Sequence, residues 1–421
     1  MTSDWLQGPY VYALYASYGF SGPDIAHLFV AGFGSSMVFG TFIGALADRI
    51  GRKHACVWYC ITYILSCITK HFKQYYILML GRILGGIATS LLFSAFESWM
   101  ICEHNKRQYE SKWISITFSN AIFGNGILAI LAGLLAEKAA SFKSLSSFDG
   151  NESSVIMWGG YCSPFDLSMV FLMFTWVALH STWTENYGDK HGSGATSAFS
   201  STALASAWKL IRSDPVTMHA GFIQSTFEGS MYTFVFMWTP VLTPTGSDPP
   251  YGLIFASFML SCMCGSKVYA LLNSRFPVEK FTIYVYLVAA IALSIPVFTE
   301  SIPLIVFGFL IFECCVGIYF PAMGTIKGTY VPEESRAAIY NLYRVPLNMI
   351  VLCVLLTDAS TKLKFCACSA MLVMAAWSGY CLHSHSLAHP MNPVVQARKQ
   401  HLDEIGVELL NHSNDIEKEL R

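Results

Sequence analysis

Apolar runs, each about as long as a bilayer is thick, recur from end to end of this 421-residue chain. A helix needs roughly 20 mostly apolar residues to cross about 30 Å of hydrocarbon. Runs of that kind lie near residues 25–47, 55–70, 75–100, 113–136, 164–183, 216–242, 251–272, 281–299, 302–325, 337–357 and 364–382. The opening stretch from Trp5 to Phe20 is aromatic and uncharged but too short to cross unaided, so it reads as part of a further span. Inside lipid a backbone has to satisfy its own polar groups, which leaves helices as the form these runs can take. Only 13% of the residues are charged, about half the ~25% of soluble domains, too few to coat a water-facing surface. The expected fold is an all-α multi-pass membrane protein.

The same composition narrows function. A net charge of −1 gives no bulk attraction to nucleic acid. The thirteen cysteines fall mostly inside apolar runs without zinc or redox spacing, and read as small buried hydrophobes. No nucleophile–base pair, phosphate-binding glycine loop or metal-ligand spacing is visible, so an enzyme and an ATP-driven pump are both disfavoured, and no cofactor is expected. The N-terminal MTSDWLQGPY lacks a basic region followed by an apolar one, so insertion is expected to rely on the spans themselves.

Lys and Arg in the connections are unequally shared. Seventeen fall on the side that includes Arg49, Arg52, Lys53, Lys327 and the tail, against six on the side of Lys70, Lys73, Lys138, Lys143, Lys362 and Lys364. The first side is therefore expected to be cytoplasmic, the C-terminus with it. The polar stretch 184–214 divides the spans into two sets of six: an N-terminal bundle over 1–183, a linker over 184–214, a C-terminal bundle over 215–383 and a tail over 384–421. Two bundles joined by a cytoplasmic linker are a transporter plan. In the tail, Leu402, Ile405 and Leu409 have the spacing of a short amphipathic helix, and Asn151-Glu-Ser153 is a glycosylation sequon in the longest outer loop.

Between the second and third runs lies GALADRIGRK, Gly44 to Lys53. A tight hairpin between membrane helices uses glycine for backbone freedom, and Arg49, Arg52 and Lys53 serve as topology anchors. Asp48 does not fit that role, because an acid at a helix C-terminus opposes the macrodipole. Pairing with Arg52 or with a neighbouring helix N-terminus would stabilise it, and a pair of that kind could close a moving interface. Gly44, Asp48, Arg49, Gly51, Arg52 and, at the cytoplasmic edge, Glu97 are the candidate gating residues.

At these residues the chain resembles the major facilitator superfamily, whose loop between its second and third helices has the form G-x-L-a-D-r-x-G-R-[RK]. GRILGGIATS at Gly81–Ser90 is similar to that superfamily's fourth-helix pattern, while LLNSRFPVEK at 271–280 is at best a remnant of a second loop copy. A closer likeness runs through DWLQGPYVYALY, GRILGGIATSLLFSAFESW, FVFMWTPVL, GIYFPAMG and YRVPLN. Together these resemble the molybdate-anion transporter family, the domain-containing 5 type. The resemblance implies a two-bundle fold on a 12-helix plan, a plasma-membrane location, and molybdate or a similar oxyanion as substrate. Family members carry an apolar segment before the Asp-Trp-Leu-Gln stretch; here only Met1–Ser3 precede it, so a shortened first helix is expected.

Ionisable groups within a bilayer cost several kcal/mol and are functional candidates by default. Arg82, Glu97, Glu228, Lys267, Glu313 and Arg344 are such groups. At about 1.5 Å per residue, Glu228, Glu313 and Arg344 fall near the midplane, with Glu313 and Arg344 at a depth that lets them pair. Asn341 and Asn348 share a helical face with Arg344, and Pro346 loosens the backbone between them. An arginine with two amides suits a tetrahedral oxyanion, since guanidinium donors match its geometry. Arg82 offers a second cation. The candidate binding residues are thus Arg344, Asn341, Asn348, Arg82, Glu313 and Glu228, with a coupled proton or other ion as a possible partner at Glu228. The competing readings are static ion pairs that fix packing, with Lys267 snorkelling to the interface; a facilitator of a small organic or sugar-like solute; and a non-transporting receptor or scaffold of the same fold.

Overall fold

The computed structural model describes residues 1–40, 43–109, 111–148, 154–187, 201–243, 249–331, 336–357 and 359–388. The sequon Asn151 and the tail stripe at Leu402, Ile405 and Leu409 lie outside them. Helices dominate: α1 Thr2–Gln7, α2 Val11–Ser17, α3 Gly22–Gly40, α4 Ile43–Ile50, α5 Arg52–Thr69, α6 Tyr75–Leu92, α7 Ala95–Lys106, α8 Ser111–Phe142, α9 Ser163–Thr182, α10 Ser201–Ser213, α11 Pro215–Leu242, α12 Tyr251–Asn273, α13 Val278–Phe298, α14 Ile302–Tyr330, α15 Arg336–Leu356 and α16 Thr361–Ala388. Seven described segments are long and apolar enough to cross a membrane by length and composition, fewer than the runs read from sequence. The physical reason is local. The run 25–47 crosses residues 41–42, outside the described residues, α5 opens on Arg52, Lys53 and His54, and α11 and α15 carry Gln224, Glu228, Arg336 and Arg344 along otherwise apolar helices. Large apolar side chains such as Phe142, Phe174, Ile291 and Trp377 stand exposed, as lipid-facing helices require.

The chain divides into two compact units. The first comprises Met1–Ser197, Phe236–Met259 and Leu355–Asp358; the second comprises Ala198–Val235, Leu260–Val354 and Ala359–Arg421.

In the first unit small residues let helices approach closely. A Cβ on Gly81 would lie 1.8 Å from the Thr69 hydroxyl, and one on Gly86 would lie 2.4 Å from the Gly32 carbonyl oxygen, so α6 packs tightly on both α5 and α3. Ser21 and Asp24 cap α3 reciprocally: the Ser21 backbone donates to the Asp24 carboxylate at 3.2 Å, and the Asp24 backbone donates to Ser21 Oγ at 3.4 Å. A two-stranded antiparallel hairpin, Ser146–Ser147 with Met157–Trp158, sits over the α5–α6 turn. There His71 donates from Nε2 to Asp166 at 2.9 Å and from Nδ1 to the Met157 carbonyl at 3.0 Å. Burial pushes its pKa down, but the hydrogen bonds to Asp166 and Cys162 outweigh burial, and the ring is pushed up to about 10. Both ring nitrogens therefore act as donors of an imidazolium.

In the second unit α12 and α14 touch backbone to backbone. A Cβ on Gly265 would fall 2.0 Å from the Cys314 carbonyl oxygen, and one on Gly317 would fall 1.9 Å from that of Cys262. Pro321 inside α14 has no N–H for the Gly317 carbonyl. Ser266 Oγ donates to that carbonyl at 3.1 Å, and Ser261 Oγ donates to the Leu310 carbonyl at 2.6 Å. A neighbour's hydroxyl thus replaces the bond that proline removes.

Candidate functional site

Within the second unit, α11 is capped at its start by Asp214, which accepts from the backbones of Val216 and Thr217 at 3.2 and 3.0 Å. Gly221 and Gly229 then set α11 against α15: a Cβ on the first would meet the Tyr343 ring at 2.2 Å, and one on the second Ile350 at 2.9 Å. Ser225, between them, donates to the Tyr343 carbonyl at 3.1 Å. With one face so engaged, Gln224 and Glu228 turn toward α14. Tyr319 OH donates to Glu228 Oε1 at 3.0 Å, and Lys327 Nζ donates to Gln224 Oε1 at 3.2 Å. Gln224 and Lys327 both act electrostatically on Glu228, so amide, ammonium and acid form one cluster. Phe227 stacks on Tyr319 at 4.0 Å between ring centres, fixing the phenol. Lys327 Nζ lies 4.6 Å from the Tyr340 ring centre.

Arg344, on α15, is exposed and within electrostatic reach of Glu228, Lys327 and Tyr232. Glu228, Lys327 and Arg344 sum to one net positive charge. Asn348 is half-buried one turn beyond Arg344, and the side chain of Asn341 lies outside the description. Glu313 does not meet Arg344. It is 6% exposed, and its electrostatic neighbour is Cys262 on α12. Spacing along each helix does not give rotation about its axis, and among the described residues no ion pair joins the two.

Arg82 stands in the first unit beside a cation that sequence reasoning left in a loop. Lys70, 2% exposed, donates from Nζ to Tyr15 OH at 2.8 Å. Arg82 donates to the Leu28 carbonyl at 3.2 Å, lies 4.7 Å from the Phe29 ring centre and also hydrogen-bonds Tyr15. Among the described residues no carboxylate pairs with either cation.

The hairpin of the sequence motif is built within the first unit. Arg52 Nε donates to Asp48 Oδ1 at 2.7 Å and Arg52 Nη1 to the Ser98 carbonyl at 3.1 Å. Gly51 takes φ 105°, a conformation in which a side chain would be strained. A Cβ there would also lie 2.6 Å from the Glu185 carboxyl carbon. That carboxylate accepts from the backbones of Lys53 and His54 at 2.8 and 3.1 Å, a negative charge on the N-terminus of α5. Lys53 Nζ in turn donates to the carbonyls of Trp183 and His180 at the end of α9, at 2.7 and 3.2 Å. Trp183 stacks on Trp99 at 3.6 Å, fastening the segment. Arg49 and Glu97 are exposed, and Gly44 lies inside α4.

Lys327, Gln224, Tyr319, Lys70, Tyr15 and Glu185 are the residues that sequence reasoning missed. The signal for Lys327 was its position: it lies a little over two helical turns after Tyr319, at the end of an apolar run. Lys70 and Glu185 abut an apolar run and a loop, and carry no such signal.

Helices of this length, two compact units and intramembrane cations define a multi-pass membrane transporter of the major facilitator superfamily. The family model described as sugar transporters with 12 transmembrane segments matches residues 1–318. The solved D-xylose–proton symporter superposes with a TM-score of 0.65 over 90% of this chain and 95% of that one, at 13% identity, a likeness of fold alone. The molybdate-anion transporter of Xenopus tropicalis is 32% identical over 89% of this chain and 81% of its own length. That of Xenopus laevis is 33% identical over the same shares. The chain belongs to the molybdate-anion transporter family.

Proposed function

We propose that this protein is a secondary transporter that takes up molybdate, or a tetrahedral oxyanion of the same charge, by alternating access. The observation that carries the reading is the identity of 32–33% over 89% of the chain to relatives named molybdate-anion transporters. The chemistry of the second unit supports it. Lys327 and Arg344 offer an ammonium and an exposed guanidinium on adjacent helices, and Asn348 and Asn341 add amide donors. Glu228 is their internal counter-charge. An incoming oxyanion displaces it from the cations, and a proton taken up by the carboxylate then removes the repulsion, which couples uptake to a proton. Arg82 with Lys70 forms a second cationic station in the first unit. Glu313 belongs to the α12–α14 packing in this reading. The Asp48–Arg52 pair and the glycines of the hairpin gate the cytoplasmic side, with the protein in the plasma membrane and its C-terminus in the cytoplasm.

Labelled-molybdate uptake into proteoliposomes tests the reading. It is expected to be saturable, competed by tungstate, stimulated by an inward proton gradient, and reduced at least tenfold by Arg344→Lys, which loses the bidentate fork. A second reading follows from the family description of sugar transporters. Competition by xylose and indifference to tungstate would establish it and remove the oxyanion.

A further inference from the structure

An apolar cleft of about 560 Å³ opens in the second unit between the end of α12, α13 and α14. Leu272, Phe281, Val285, Val288, Cys315 and Ile318 form much of its wall, and the lining contains one charged side chain, Lys280. Phe281, Val285 and Ile318 are buried, so the cleft has a packed floor. Its outer rim is formed by Tyr284 and Val288, 62% and 45% exposed. Ile291, 68% exposed, continues this stripe along α13 on an outer face of the unit. From Lys280 to Val288 the helix rises about 12 Å, close to the depth of one leaflet, about 15 Å of hydrocarbon. The cleft is therefore as deep as an acyl chain is long in a single leaflet, with a cation where the headgroup begins.

The charge around that end is one-sided. Lys280 and Arg275, both exposed, belong to the α12–α13 turn and its immediate continuation, and no ion pair engages either among the described residues. Among the described residues the acid beside them is Glu279, 2% exposed and accepting from Tyr330 OH at 2.7 Å, so it is turned inward. Lys280 also occupies the first turn of α13, where a cation opposes the helix dipole unless an anion accompanies it.

We propose that this cleft binds an anionic glycerophospholipid, one acyl chain lying along Val285 and Ile318 and the phosphate held by Lys280 with Arg275 beside it. The observations that carry it are the leaflet-deep apolar channel and the unanswered positive charge at its mouth, a combination that selects an amphiphile with a negative head. A neutral solute satisfies the channel but not the charge, and a free anion the reverse. The site is independent of the transport reading, since none of its residues belongs to the Glu228–Lys327 cluster.

Native mass spectrometry of the full-length protein, titrated with dioleoyl-phosphatidylserine against dioleoyl-phosphatidylcholine, tests it. The wild type is expected to retain the anionic lipid in preference. Lys280→Ala should reduce that preference about fivefold, Lys280→Arg should keep it, and Val285→Trp, which fills the channel, should remove retention of both lipids at this site. Melting in phosphatidylcholine alone reports whether each variant is folded. Lys280→Ala alters only an exposed side chain and so carries the test if Val285→Trp unfolds. Three results would overturn the proposal: equal retention of the two lipids by wild type, a preference unchanged in the Lys280→Ala/Arg275→Ala double variant, or equally effective competition by chain-free glycerophosphoserine.

Discussion

Lys70 and Lys327 are both ammonium groups drawn inward from solvent, Lys70 fully and Lys327 in part, yet their companions differ. In the first unit Lys70 meets a phenol, and Arg82 a carbonyl and an aromatic face. In the second, Lys327 is tied to an amide and lies within electrostatic reach of an acid and a guanidinium. A cation held only by neutral groups keeps its full attraction for an anion, whereas one that shares a carboxylate gives up part of it and gains something to exchange. The first arrangement suits attraction; the second suits release on a signal. Glycine contacts also differ in kind, though not by unit: Gly81 faces a threonine side chain, whereas Gly86 in the first unit and Gly265 in the second face backbone carbonyls.

The largest effect is expected at Lys327. Lys327→Ala removes the donor to Gln224 and the positive charge that balances Glu228, and should cost about 3 kcal/mol of stability, the upper end for a hydrogen bond to a charged group. Adding Glu228→Gln should recover at least half of it. Simple additivity in thermal melts would show that the two are not coupled. Next come the glycines. Gly265→Ala should cost about 3 kcal/mol, because a backbone carbonyl cannot swing away, and Gly81→Ala about 2 kcal/mol, because rotation of Thr69 clears its hydroxyl but not its Cβ, 2.8 Å away. Equal losses would erase the packing contrast. Lys70→Met, near in volume and free of charge, should leave stability within about 1 kcal/mol while lowering molybdate uptake severalfold; a collapse of the fold would mean that the ammonium is structural.

The smallest effect belongs to His71. Its pKa is raised in the folded state, so the pair with Asp166 contributes fully below the unfolded value near 6.5 and is lost as pH rises through about 10. Asp166 is about half exposed, so solvent screening limits the contribution to about 1 kcal/mol. Wild type and Asp166→Asn should therefore differ in melting at pH 6 and converge above pH 10. A constant difference would break the assignment.

The helices and the hairpin pair were legible in the sequence for physical reasons. Apolar length dictates a helix in lipid, and the tight turn at Gly51 that joins α4 to α5 leaves Asp48 and Arg52 only a few residues apart, within reach of each other. Glu185 was not legible. It reaches the same hairpin from more than 130 positions away, out of a stretch that reads as linker. Lys327 read as a boundary charge because hydropathy ends a span at a lysine, whereas α14 continues to Tyr330 and turns that lysine inward. Glu313 and Arg344 show the remaining limit: rise per residue gives height, and only the packing of neighbouring helices gives azimuth.

The reciprocal glycine contacts and the serine bonds between α12 and α14 have a mechanical consequence. Rods fused at several points cannot slide, so α14 must carry the adjoining stretch of α12 whenever Tyr319 or Lys327 is displaced. Cys315 and Ile318 ride on the same lever and line the lipid cleft. On the two proposals made above, thickness or curvature of the surrounding leaflet would thereby act on the cluster around Lys327, and an anion bound at that cluster would act on the cleft.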